Sequence, residues 1–132
     1  MPYLIPGRPV PLQRARHNQY SSRPWDPQKA LKQQLSHLIA LQNKLKIMYQ
    51  GPLRLEIIFY FPRSRETRKE TWHHMRPDTT NLIKLIEDVC NKLLYEDDCQ
   101  IAWIDARKMY SSKPRVEFDL HELEPERITD GK

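Results

Sequence analysis

Leu53, Leu55, Ile57, Phe59 and Phe61 alternate without a break between Gly51-Pro52 and Pro62. An apolar period of two over that length describes a strand with one face against a core. A second segment has a different period. Leu82, Leu85, Ile86, Val89 and Leu93 recur at helical spacing and form a core-facing stripe. A strongly amphipathic strand and helix in succession place the chain in the α/β class.

The other segments fill in the order. Residues 3–16, interrupted by prolines at 6, 9 and 11, read as an extended or edge strand, and residues 19–27 as a loop. Asp26-Pro27 is expected to open a helix, with the aspartate as N-cap and the proline at the first helical position. Leu31, Leu35, Leu38 and Leu45 share a face of that helix, which Gly51-Pro52 closes. Lys29, Lys32, Lys44 and Lys46 form its solvated side. Residues 101–110 read as a strand whose alternation slips near Ile104. Val116, Phe118 and Leu120 mark a last strand, joined to it by a short turn and antiparallel to it. A polar tail begins at about residue 122. The expected architecture is a single two-layer α+β domain over residues 1–132. It has a mixed four-stranded sheet and two main helices in the order β-α-β-α-β-β.

Composition narrows the function. The chain has 132 residues, enough for one modest core, and its formal charge of +5 favours a polyanionic partner. Cys90 and Cys99 form neither a C-x-x-C pair nor a zinc spacing. No apolar run is long enough to span a bilayer and no signal peptide is evident, so no membrane partner is expected. A reducing cytoplasm is the expected location.

Within this basic chain, acids gather at two points. Arg76-Pro-Asp-Thr-Thr-Asn-Leu-Ile-Lys84 puts a carboxylate at a helix start and a lysine on the helix, and Tyr95-Glu-Asp-Asp-Cys-Gln-Ile101 follows it. Carboxylates repel nucleic-acid phosphates unless a divalent cation stands between them, so the pattern points to metal-assisted phosphodiester chemistry. Each residue has a simpler explanation. Asp78 can be an N-cap, Asp97-Asp98 a turn and Lys84 a surface lysine. The conjunction favours chemistry, and it carries the expectation that Asp78 and the Asp97-Asp98 pair converge on one cation. Asn81, Lys84 and Asp88 share a second face of the helix and are expected to point into the same cleft.

The run Arg76-Pro-Asp-x-x-Asn-Leu-x-Lys84, then Asp88, Asn91 and Glu96-Asp-Asp-x-Gln-Ile101, resembles the RusA-type Holliday junction resolvases of bacteria and their phages. Ala106-Arg-Lys108 and Pro9-Val-Pro-Leu-Gln-Arg14 extend the likeness over most of the chain. The resemblance implies a homodimeric, Mg2+-dependent endonuclease, with Mn2+ as a substitute. Such an enzyme binds four-way DNA junctions and makes paired symmetric nicks. It further implies a cytoplasmic, nucleoid-associated protein of bacterial or phage origin. Position by position, Asp78 and Asp98 match the family's catalytic aspartates, with Asp97 as a further metal ligand, and Lys84 matches its essential lysine. One position departs. Family members commonly carry an aspartate directly before the asparagine, where this chain has Thr80. Thr80 also supports an alternative, a junction- or branched-DNA-binding protein with weak or no cleavage.

The expected DNA contacts are Arg14, Arg16, Arg63, Arg65, Arg68, Lys69, Arg76 and Lys108, the last preferred over Arg107 because neighbours on a strand face opposite ways. Residues 63–69 form a polar run that is either a solvated linker or a basic arm. Trp72 and Tyr110 are candidates for stacking on unpaired bases. Pro77-Asp78 also suggests a PD-(D/E)xK nuclease, but Asp105-Ala-Arg-Lys108 has the wrong spacing for it.

Overall fold

The computed structural model describes residues 2–14, 16–18 and 21–124, with the side chains of 16–18 and 21–24 excepted. Its elements are β1 (Tyr3–Pro6), β2 (Arg16–Asn18), β3 (Ser21–Trp25), α1 (Lys29–Gln42), β4 (Leu53–Pro62), α2 (Thr79–Cys90), a 3₁₀ turn (Asp98–Gln100), β5 (Ile101–Ser111) and β6 (Arg115–Glu122). The strands β1, β4, β5 and β6 form a mixed sheet in the order β1-β6-β4-β5, and α1 and α2 lie against it. The two-layer α+β architecture and the β-α-β-α-β-β order therefore hold. A small β2–β3 hairpin is added before α1.

Strand β4 sits at the centre. Its odd-numbered residues, Leu53 to Phe61, are all at or below 2% exposure. Strand β5 runs parallel on one side and β6 antiparallel on the other. The last two strands thus run in opposite directions but do not pair, because β4 lies between them. The strand with the cleanest apolar alternation takes the position where both its edges are paired. The parallel β4–β5 connection is a crossover through α2, whose Leu82, Leu85, Ile86 and Val89 are buried on the sheet. Helix α2 therefore runs opposite to β4 and β5.

Several boundaries differ from expectation. The first strand ends at Pro6, and the expected loop over 19–27 contains β3. Helix α1 starts at Lys29. The Asp26 carboxylate instead holds a preceding turn, accepting from Gln28 N–H at 2.8 Å and from Lys32 Nζ at 2.7 Å. The helix stops at Gln42, because the Asn43 side chain bonds both backbone groups of Ile47 and closes a tight loop. Leu45 therefore lies beyond the helix at 83% exposure, and Ile39 is the residue of α1 that is fully buried. The slip in β5 falls two residues before Ile104, at Ala102, where Ile101 and Trp103 oppose consecutive residues of β4. Strand β6 continues to Glu122, and residues 125–132 of the expected tail lie outside the described residues. Both cysteines are free.

The two edges of the sheet are treated differently. On β1, the Gln42 side-chain amide accepts from Leu4 N–H and donates to Leu4 C=O, each at 2.7 Å. On β5, residues 71–73 pair with the outer edge from Lys108 onward, through His73 N–H to Lys108 C=O and Tyr110 N–H to Thr71 C=O. The first half of that edge has no partner strand among the described residues.

Candidate active site

Asp78 occupies the N-cap position of α2 with extended backbone, yet its carboxylate makes no capping hydrogen bond. Its side chain is therefore not spent on the helix, and it is exposed. The turn before it contains a cis Arg76-Pro77 bond. That turn is clamped from β5, where the Lys108 ammonium donates to Met75 C=O at 2.6 Å and to Pro77 C=O at 2.7 Å. Burial pulls the Lys108 pKa below its ordinary value, and the charge of Asp78 partly opposes that shift.

A groove passes on both sides of Asp78. One side is a cleft of about 1000 Å³, lined among others by Arg8, Phe61, His73, Arg76 and Tyr110. The other, of about 730 Å³, lies between Arg8, Pro11, Arg76 and Asn81. Leu12 N–H donates to Asn81 C=O at 2.9 Å, which ties the N-terminal segment down beside the helix start. Arg8 belongs to both sides of the groove and was not among the sequence candidates. Its sequence signal was a cation directly before the Pro9-Val-Pro run.

The second acidic group stands at the other end of α2. Asp97 caps the 3₁₀ turn, accepting from Cys99 N–H at 3.1 Å while Gln100 returns a bond to Asp97 N–H. That backbone bond is the main cause holding the Asp97 carboxyl below its usual range. The hydrogen bond shared with Asp97 pushes the Asp98 pKa up, and burial and the charges of Asp97 and Asp88 add to it. Glu87, which sequence reasoning passed over, is half-buried here. Burial raises its pKa first, and the charges of Asp98 and Asp88 raise it further against Lys84. Its sequence signal was the i+3 spacing from Lys84. Asp88 does not point into a shared cleft with Asn81; it lies 3.6 Å from Lys32 on α1.

Asp78 and the Asp97-Asp98 pair do not converge within one chain. Among the described residues no group of three or more His, Cys, Asp and Glu side chains is close enough to hold a metal ion. Ten residues of helix, from Asp78 to Asp88, measure about 15 Å. The donor chemistry itself suits a hard divalent cation, being carboxylate oxygens whose mutual repulsion is visible at Asp98 and Glu87. Each end of α2 thus carries carboxylate oxygens, and within one chain they stay apart.

The family model described as Endodeoxyribonuclease RusA matches residues 6–121, which include both acidic groups. The chain belongs to the RusA endodeoxyribonuclease family. It is 35% identical over 86 residues to the crossover junction endodeoxyribonuclease rusA of Lactococcus phage r1t, covering 63% of this chain and 66% of that protein. The chain thus spans just under two thirds of that relative's length. It is 28% identical over 97 residues to the uncharacterized protein YqaN of Bacillus subtilis strain 168, covering 65% and 68%.

Around this RusA-family core the basic residues divide. Arg65, Arg68, Lys69, Arg14 and Arg76 are exposed. Arg63 is exposed too, but it donates to Glu70 C=O at 2.7 Å and to Arg68 C=O at 3.2 Å, so it shapes the 63–69 loop. Lys108 is likewise committed to carbonyls. The side chain of Arg16 lies outside the described residues. Tyr110 is buried and Trp72 is 57% exposed. Lys84 is exposed on α2, and Thr80 is exposed on its first turn. Among the described residues no helix is long and apolar enough to cross a membrane.

Proposed function

We propose that this protein is a divalent-metal-dependent endonuclease that nicks four-way DNA junctions as a twofold dimer. Two nicks of a substrate with approximate twofold symmetry call for two sites related by the same symmetry. The observation that carries the reading is the division of the acids between the two ends of α2. A second copy resolves that division. The free half-edge of β5 presents the backbone N–H and C=O groups of Ile104 and Ala106 outward, continuing the alternation set by those of Lys108 and Tyr110. Trp103 and Ile104 there are 54% and 43% exposed. Two copies pairing antiparallel along this edge set their α2 helices side by side in opposite directions. The Asp78 end of each then lies beside Asp98 of the partner subunit.

In such a site Asp78 and the partner's Asp98 would hold the cation, with the partner's Asp97 contributing the carboxylate oxygen its turn leaves free. Mg2+ suits these oxygens, and Mn2+ can replace it. The bound cation supplies charge neutralisation at the scissile phosphate and lowers the pKa of water. Lys84, on the same helix, offsets charge on the phosphate or orients the attacking water. Arg8 and Arg76 hold the strand in the groove by its phosphates, while Arg65, Arg68 and Lys69 grip a neighbouring arm of the junction.

The test is nicking of a synthetic four-way junction against a linear duplex of the same sequence, with and without Mg2+. Junction nicking that needs the metal is expected. Asp78→Asn is expected to abolish nicking and keep binding, because it removes a negative charge near phosphates. Nicking by Asp78→Asn at the parental rate refutes the assignment. Thr80 gives the second reading, a junction binder with weak cleavage, its specific support. A large gain on Thr80→Asp would favour that reading, and no change would favour a site already complete.

A further inference from the structure

We propose that the cleft beside Asp78 receives one unstacked nucleobase of the bound DNA, with Met75 as the wedge that displaces it. This rests on the nuclease reading above and names a subsite of that same groove. Met75 is 63% exposed, at the top of the turn whose carbonyls Lys108 holds. A lone exposed methionine is ordinary on a protein surface. This one stands on a clamped turn, beside the exposed Asp78 and among Arg8, His74 and Arg76, which all line the same cleft. An apolar side chain held rigidly among phosphate-seeking cations meets base steps, where such residues act as wedges.

The cleft has the chemistry of a base with its phosphate. Its floor is aromatic. The His73 ring stacks on Phe61 with centroids 3.9 Å apart, and Tyr110 meets it edge-on at 5.1 Å. His73 is 9% exposed, and its Nδ1 is buried with no hydrogen-bond partner among the described residues. An orphaned polar atom of this kind is costly, and a shift of the His73 ring on base entry would let it find a partner on the ligand. Ser64, Glu66 and Thr67 also line the cleft and add hydroxyl and carboxylate groups, suited to base edges. A site for phosphate alone needs cations and no apolar floor. A site for a protein segment gains nothing from cations gathered beside the groove's exposed acid. The cleft volume of about 1000 Å³ lies at the upper end of ordinary ligand pockets, ample for one base and its sugar.

The experiment uses the full chain and four-way junctions carrying a single 2-aminopurine, scanned position by position across the branch point in EDTA so that no strand is cut. At one position on each nicked strand, binding is expected to change the fluorescence by about threefold in either direction, as the base leaves its stack or meets the aromatic floor. Met75→Ala is expected to bind the same junction and lose that change. His73→Phe, which keeps the ring and removes the nitrogens, is expected to reduce it. Flat fluorescence at every position overturns the proposal, as does an undiminished change in Met75→Ala. Failure of the nuclease reading shows separately, as absence of Mg2+-dependent nicking by the parental protein.

Discussion

Mixing two inactive variants tests whether each site is shared between subunits. Asp78→Asn and Asp98→Asn each remove one carboxylate from opposite ends of α2, and each homodimer is expected to be inactive. In a mixed dimer with shared sites, one site carries both asparagines and the other carries neither. Random exchange yields about half mixed dimers, each with one intact site of two, so a mixture recovers about a quarter of the parental sites. If each chain held its own complete site, a mixed dimer would carry one lesion in both sites and recover nothing. The assay is nicking of a labelled junction by dimers isolated through two different tags, read on a denaturing gel. Mixed dimers should cut one strand per junction where the parent cuts two. Purified mixed dimers that fail to nick, alongside an active parent, refute the shared-site argument.

Other predictions follow from the same geometry. Lys108→Met removes two charge-assisted bonds to the Asp78 turn, each worth about 1.5–3 kcal/mol at most. Nicking should fall at least tenfold while the salt dependence of junction binding keeps its slope, which a lost phosphate contact would lower by about 0.9. Replacing Arg65, Arg68 and Lys69 together by alanine should lower that slope by about two to three units, measured by titrating binding against salt. The raised pKa of Asp98 means that its ionised form is disfavoured in the folded chain relative to the unfolded one, so this group costs stability as pH rises through the window above 3.8. Asp98→Asn should therefore raise the melting midpoint at pH 7 in EDTA, and the gain should vanish as the pH falls toward 3.8. Leu82→Ala, at a fully buried position between α2 and the sheet, should cost about 2–5 kcal/mol in denaturant unfolding.

Periodic segments were legible in the sequence because one buried face dictates every second or every third and fourth residue. Strand β4 and helix α2 follow that rule, and the structure buries the residues their periods select. Strand β3 was missed because it is short, carries two serines and Pro24, and has no apolar alternation. The start of α1 was misplaced because Asp26 has two local uses, capping a helix or holding a turn, and Lys32 favours the second. Strands β5 and β6 run antiparallel as their short turn indicates, but that turn does not make them neighbours, because partner choice depends on which strand can fill the centre. At the site, the separation of Asp78 from Asp98 was already implied by the 12-residue helix between them. Residues close in a motif were treated as close in space. The internal use of Lys108 had no sequence signal, because a lysine bound to carbonyls has the same local pattern as one facing DNA.

The Gln42 amide on Leu4 has a further consequence. A sheet with two open margins can add copies without limit, end on end, into a fibre. Here a side chain imitates the missing neighbour on the β1 margin and takes up its backbone groups, so growth there has no template. Among the described residues only the first half of the β5 margin stays available, and in the proposed dimer a single sticky side joined to itself would give a closed pair that stops at two.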